Sequence, residues 1–136
     1  MIADTSGLLA LFNRREPAHV AVAAAISAEP ETLVVSPYVV AEVDYLAATR
    51  LGIHAELAIL RELASGAYEL AAVSADDMSR AADVVRRYED QNVGLTDASL
   101  VVLAERYGTR RILTLDRRHF GVLRPLSGGR FRILPG

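Results

Sequence analysis

The 136-residue chain is long enough for one domain with a buried core, and at 51% hydrophobic against 24% charged residues it is globular rather than disordered. A formal net charge of −2 argues against a strongly basic nucleic-acid binder, and the lack of cysteine excludes disulfides, thiolate metal sites and thiol catalysis. All fifteen cationic residues are arginine, so any mechanism that needs a lysine is excluded as well.

The elements follow in chain order. Ile2-Ala3 reads as a short apolar strand, and Ser6 to Phe12 as a compact helix. Pro17 suits the first turn of a second helix, continued by the alanine-rich run Ala18 to Ala28. Thr32-Leu33-Val34-Val35 is rich in β-branched residues and continuously apolar after its first, the pattern of a strand covered on both faces. Ser36-Pro37 caps and opens a helix to about Leu51, stopped by Gly52. A further helix fits Ala55 to Ala64, then a strand Tyr68 to Val73. Ser74-Ala75-Asp76-Asp77 is a strong helix start, and that helix runs to about Asp90. Thr96 is expected to cap a helix from Asp97 to Tyr107, followed by strands Arg111 to Thr114 and Phe131 to Leu134.

Strands alternating with helices predict an α/β protein with a mainly parallel sheet and helices on both faces, residues 1–136 forming a single domain. No apolar run approaches the ~20 residues of a membrane span, and no basic segment followed by an apolar one opens the chain, so a cytoplasmic protein is the expectation. The mean hydropathy of +0.22 is high for such a protein and suggests surplus apolar surface for a dimer or partner interface.

Four acids stand out: Asp4 and Asp116 at the carboxyl ends of strands, Asp97 at the start of a helix, and Glu42 within one. In parallel sheets ligands gather at the carboxyl ends of strands, near a topological switch point, and connectivity alone places Asp4, Asp97 and Asp116 on that edge. Each of these three also has a structural reading, as helix cap, first-turn acid or turn former. Glu42 is flanked at helical spacing by Tyr38, Val39, Tyr45 and Leu46, so its carboxylate is expected on an apolar face, paired with an arginine or bound to metal. Asp44 lies about 200° around the helix from Glu42 and falls outside the set. Close carboxylates repel unless a cation compensates, and an all-oxygen set suits Mg²⁺ or Mn²⁺. His19, His54 and His119 show no metal-ligand spacing and read as surface residues, His119 being three residues from Asp116. Arg117-Arg118 directly follows Asp116 and is a candidate for contact with a ligand of the site.

The segments Asp4-Thr5-Ser6-Gly7-Leu8-Leu9-Ala10-Leu11, Ala41-Glu42-Val43, Leu95-Thr96-Asp97-Ala98-Ser99 and Leu113-Thr114-Leu115-Asp116-Arg117-Arg118-His119-Phe120 resemble the PIN-domain family, with VapC-type toxins of bacterial toxin–antitoxin pairs as the nearest likeness. The resemblance spans essentially the whole chain. It implies an α/β/α sandwich around a sheet of about five strands, and a Mg²⁺- or Mn²⁺-dependent endoribonuclease that cuts transfer or ribosomal RNA to leave 5′-phosphate and 3′-hydroxyl ends. Asp4, Glu42, Asp97 and Asp116 fall on the family's four acidic positions. Asp4 and Asp97 are expected as direct metal ligands, with Glu42 and Asp116 direct or water-mediated. Ser6 falls on the small hydroxyl that supports the first aspartate, and Thr96 and Thr114 are expected to support the site. A small VapB-like antitoxin covering the groove, and a toxin homodimer, are the implied partners. Receiver domains need a lysine absent here, and haloacid-dehalogenase-type phosphatases need an acid where Ser6 stands. The remaining alternative is a catalytically silent PIN-like module that binds RNA or a partner.

Overall fold

The computed structural model describes residues 1–136. Five short strands, β1 (Ile2–Ala3), β2 (Val34–Val35), β3 (Glu69–Leu70), β4 (Arg111–Leu113) and β5 (Arg132–Leu134), form one sheet in the order β3-β2-β1-β4-β5. Every pairing is parallel; Ile2 lies in register with Val34 on one side and Ile112 on the other. Seven helices cover it: α1 (Thr5–Phe12), α2 (His19–Ala28), α3 (Pro37–Arg50), α4 (Ile53–Leu63), α5 (Ala75–Arg87), α6 (Leu95–Arg106) and α7 (Arg117–Val122). The central strands are apolar because both faces are buried: Ile2, Ala3, Val35, Ile112 and Leu113 are fully enclosed. The outer strand β3 is exposed and shorter than its apolar sequence suggests, because it has a neighbour on one side only.

From β1 the chain crosses to β2 on one side, and β4 later pairs on the other, so the switch point lies between β1 and β4. Their carboxyl ends are drawn together by the bond from the Asp4 N–H to the Leu113 carbonyl, 2.9 Å. Gly7 makes this approach possible. A Cβ there would stand 2.5 Å from the Leu113 carbonyl oxygen, so only glycine lets the first turn of α1 rest on β4.

Two expectations about helix ends are corrected. Pro17 precedes α2, which begins at His19 with Ala18 at its N-cap. Thr96 does not cap α6; an extended Gly94 occupies that position, so Leu95, Thr96 and Asp97 form the first turn. The segment after Asp116, in which no helix was foreseen, folds as α7. Six residues including a glycine carry too little periodicity to reveal it, and its start depends on the Asp116 side chain accepting from the His119 N–H at 2.9 Å.

Two polar ties fix the helices that carry the remaining acids. Tyr38 N–H donates to Ser36 Oγ at 3.2 Å, Ser36 and Ser99 hydroxyls meet at 2.9 Å, and Ser99 donates to the Thr96 carbonyl at 2.6 Å. This buried chain locks the start of α3 to the first turn of α6. At the far end of α6, Arg106 donates to Asp77 Oδ2 at 2.8 Å and to the Ala72 carbonyl at 2.7 Å. Asp77 itself closes a reciprocal capping box with Ser74 at the start of α5.

Candidate active site

Beyond the carboxyl ends of β1 and β4 opens a cavity of about 540 Å³. Asp4, Glu42, Asp97 and Asp116 all line it, together with Ser6, Thr96, Arg50 and His119. Each acid arrives by a different local rule. Asp4 takes the N-cap position of α1 but makes no capping bond to the turn ahead of it. Its side chain accepts instead from the Thr114 hydroxyl at 2.7 Å. Asp97 sits in the first turn of α6, and Asp116 caps α7. Glu42 projects from α3 with Leu46 and Arg50 at successive i+4 positions along the same face.

Thr114 is the hub of the polar support. Its hydroxyl gives its proton to Asp4 and accepts the Asp116 N–H at 2.9 Å, joining two of the acids through one oxygen. Ser6 accepts the Leu115 N–H at 2.9 Å, lies 3.2 Å from the Thr114 hydroxyl and only 3.4 Å from Asp4 Oδ2. Ser6 therefore supports Asp4 chiefly through Thr114. Thr96 contributes its backbone carbonyl to the Ser99 tie and its half-buried side chain to the cavity wall.

Two sequence expectations fail here. Glu42 is exposed at the cavity lip, not set on a buried apolar face, and no arginine pairs with it. Its apolar neighbours misled because they do not share one face: Val39 is fully buried, whereas Tyr45 is 66% exposed and turns outward with Glu42. His119 is not a simple surface residue. Its Nδ1 lies 2.9 Å from Asp97 Oδ2 and 3.6 Å from Asp116 Oδ2. Its position three residues beyond an N-cap aspartate was the available signal. Arg50 was missed too, although the i, i+4, i+8 spacing of Glu42, Leu46 and Arg50 points to a shared face. Asp44 stays outside the cavity, against Glu56 of α4.

The electrostatics are set by burial and crowding. Burial raises the Asp97 carboxyl to about 6 from an ordinary 3.8, with Asp4, Asp116 and Glu42 adding repulsion and His119 opposing it. Asp4 is also raised, mainly by burial, against the lowering effect of the Thr114 hydroxyl and the Thr5 N–H. The N-termini of α1 and α6 favour anions here, yet desolvation and like charge outweigh them at Asp97.

A hard cation fits this donor set. The carboxylates are oxygen-only ligands that repel one another, and the buried Thr5 hydroxyl in the cavity wall has no protein partner. No three acidic or imidazole groups converge into a finished metal cage. That is compatible with Mg²⁺, which uses one or two carboxylates and keeps several waters.

Residues 1–123 match the family model described as PIN domain. The chain belongs to the PIN-domain family. Within it, the chain is 60% identical to Ribonuclease VapC26 of Mycobacterium tuberculosis over 135 residues, which cover 99% of this chain and all of that protein. The crystal structure of Mycobacterium tuberculosis VapC20, described as a sarcin-ricin loop cleaving toxin, superposes with a TM-score of 0.79 at 22% identity, over 87% of this chain and 91% of that one. The latter likeness establishes the shared fold, and the former makes this a VapC-type PIN ribonuclease. No helix of this PIN domain is long and apolar enough to cross a membrane.

The Thr114 hub yields a first prediction for this PIN domain. Thr114→Val keeps the shape but deprives Asp4 of its donor and leaves the Asp116 N–H unpaired. Cleavage should fall about 10- to 100-fold, as for other partners that orient a ligand. Stability should drop by about 1–3 kcal/mol, read from chemical denaturation. Unchanged cleavage would remove Thr114 from the support of the site.

Proposed function

We propose that this VapC-type ribonuclease is the toxin of a toxin–antitoxin pair and hydrolyses phosphodiester bonds in structured cellular RNA, transfer or ribosomal, with Mg²⁺ held by Asp4, Glu42, Asp97 and Asp116. Mn²⁺ substitutes. The observation that carries this reading is that four carboxylates from four separate segments line one open cavity at the sheet's switch point. Residues 1–136 act as one PIN-like domain; β5, beyond the family match, completes the sheet by pairing with β4.

Asp4 and Asp97, the more enclosed acids, would hold the ion directly, with Glu42 and Asp116 acting directly or through water. When bound, Mg²⁺ supplies polarisation of the scissile phosphate and a water of lowered pKa. Thr114 keeps the Asp4 carboxylate oriented and anionic. His119 does the same for Asp97 through Nδ1. The N-terminal N–H groups of α1 and α6 favour an incoming phosphate. Arg50 stands at the rim as a cation for the RNA backbone. Of the paired arginines, Arg117 is occupied by the Pro135 carbonyl at 2.6 Å, so Arg118 carries the RNA-contact reading.

A VapB-like antitoxin tail has a surface to cover. A smaller groove of about 180 Å³ adjoins the site, with Leu9, Leu46, Leu51 and Leu115 in its wall, and Leu51 is 43% exposed. Exposed apolar residues such as Val20 and Tyr45 support a homodimer, and a cytoplasmic setting suits an RNA target.

The test is RNA cleavage by antitoxin-free protein. Cutting should require Mg²⁺ and stop with EDTA. Because Asp97 titrates near 6, protons compete with the cation below that pH. The Mg²⁺ concentration for half-maximal cleavage should therefore rise as pH falls from 7 to 5, and saturating Mg²⁺ should restore much of the rate. A half-maximal concentration independent of pH across that range would contradict the assignment of Asp97 as a ligand.

A further inference from the structure

A second cavity, of about 430 Å³, adjoins the acidic one, and Asp116 and His119 belong to the walls of both. Its other lining residues are Asp90, Gln91, Asn92, Arg118 and Val122. One wall is the 3-10 turn Glu89–Gln91 with Asn92, and the other is α7. The walls are braced. Tyr88, just before the turn, accepts the Arg124 N–H at 3.1 Å just after α7, and Val93 is buried behind Asn92. Asn92 adopts a left-handed conformation, φ 56°, which turns the chain back toward the site.

The side chains of Asp90, Gln91, Asn92 and Arg118 make no hydrogen bond or ion pair within the protein, whereas neighbouring Arg117 and Asp116 are engaged. Two amides, a carboxylate, a guanidinium and an apolar patch at Val122, 39% exposed, thus face one concave space. Amides and carboxylates read the donor and acceptor edges of a base, and Arg binds phosphate. The volume falls within the roughly 300–1,000 Å³ of small-ligand sites.

We infer that this cavity is a nucleotide subsite: it takes one unpaired RNA nucleotide flanking the scissile phosphate, with Gln91, Asn92 and Asp90 reading the base and Arg118 on its phosphate. The inference rests on the ribonuclease reading of the adjoining site and adds where sequence preference arises. Sequence-specific RNA recognition needs splayed-out bases whose edges are free, and an open groove lined by unpaired polar side chains beside the cutting site can take one. The face of the base rests against Val122.

The test uses Asp4→Asn protein, in which cutting is expected to be lost with the acid while the neighbouring cavity is untouched, and four fluorescein-labelled hexaribonucleotides, one for each base. Fluorescence anisotropy should show a preference among the four of about fivefold or more, as expected for one set of base-edge hydrogen bonds. Gln91→Ala combined with Asn92→Gly keeps the left-handed turn and should erase that preference. Arg118→Gln should weaken all four RNAs similarly and lower the salt slope by about 1. Melting curves matching the parent establish that the exposed-residue variants fold. A preference that survives the double change, an affinity and salt slope untouched by Arg118→Gln, or no RNA binding at all overturns the subsite. Binding with the expected pattern, in a protein whose unsubstituted form does not cut with Mg²⁺, upholds the subsite and instead refutes the proposed metal chemistry.

Discussion

Asp97→Asn should abolish RNA cleavage while raising the melting temperature of the metal-free protein. The two effects share one cause. Asp97 is ionised at neutral pH against burial and three neighbouring carboxylates, which is why its carboxyl is raised to about 6 from 3.8. A folded-state pKa above the unfolded one means that this group's stabilising contribution is complete below about pH 3.8. It is lost as pH rises through about 6. At about 1.4 kcal/mol per pH unit, the ionised form costs the metal-free fold up to about 3 kcal/mol, the attraction of His119 already included. Asparagine removes the charge and still accepts from His119 Nδ1. A gain of about 1–3 kcal/mol, or about 4 °C per kcal/mol, should appear in calorimetry at pH 7.5 and vanish near pH 4. Cleavage should fall at least about 100-fold, since the proposed cation would lose one of its two direct carboxylate ligands. Added Mg²⁺ should raise the melting temperature of the parent and leave the variant unmoved. A variant less stable than the parent at pH 7.5 would show that Asp97 serves the fold and not the cation.

Gly7→Ala should damage both fold and activity, although residue 7 touches no substrate. The added methyl would meet the Leu113 carbonyl oxygen at 2.5 Å and the Leu113 side chain at 2.8 Å. The oxygen belongs to β4 backbone and also accepts the Asp4 N–H, so neither partner yields without moving the other. Overpacking of this kind costs about 1–3 kcal/mol or more. The shift also separates Asp4 from Thr114, whose contact of 2.7 Å depends on α1 lying against β4. A displacement near 1 Å at a catalytic group can cost about 100-fold in rate. Thermal melting and cleavage should therefore fall together. An alanine variant with the parent's melting temperature and activity would show that the first turn of α1 does not set the site's geometry.

The parts of the molecule legible in the sequence are those governed by local chemistry. Ile2-Ala3, Val34-Val35 and Ile112-Leu113 are buried strand residues that read as apolar runs, and Ser36-Pro37 and Ser74 announce α3 and α5 directly. Asp4 and Asp116 could be assigned to one sheet edge because parallel connectivity leaves no other. What the sequence concealed depends on tertiary setting. Glu42 has apolar helical neighbours, but Tyr45 among them faces outward, and no periodicity distinguishes that from burial. His119 enters the site only because Asp116 starts α7, a helix too short to leave a pattern. Thr114 could be named as support, but its bridging of Asp4 to the Asp116 N–H requires β1 and β4 to be neighbours. Arg117 and Arg118 are indistinguishable as a pair, yet one is bound to the Pro135 carbonyl and the other is free.

The central claim is that four carboxylates from four separate segments act as one cation-dependent hydrolytic site. Its most direct test maps the ends produced when purified, antitoxin-free protein acts on total cellular RNA, with Mg²⁺ and then with EDTA. Discrete cuts bearing 5′-phosphates, present with Mg²⁺, lost with EDTA and absent for Asp97→Asn, are the expected result. Cuts that persist in EDTA or in the variant, or that carry 5′-hydroxyls, would contradict it.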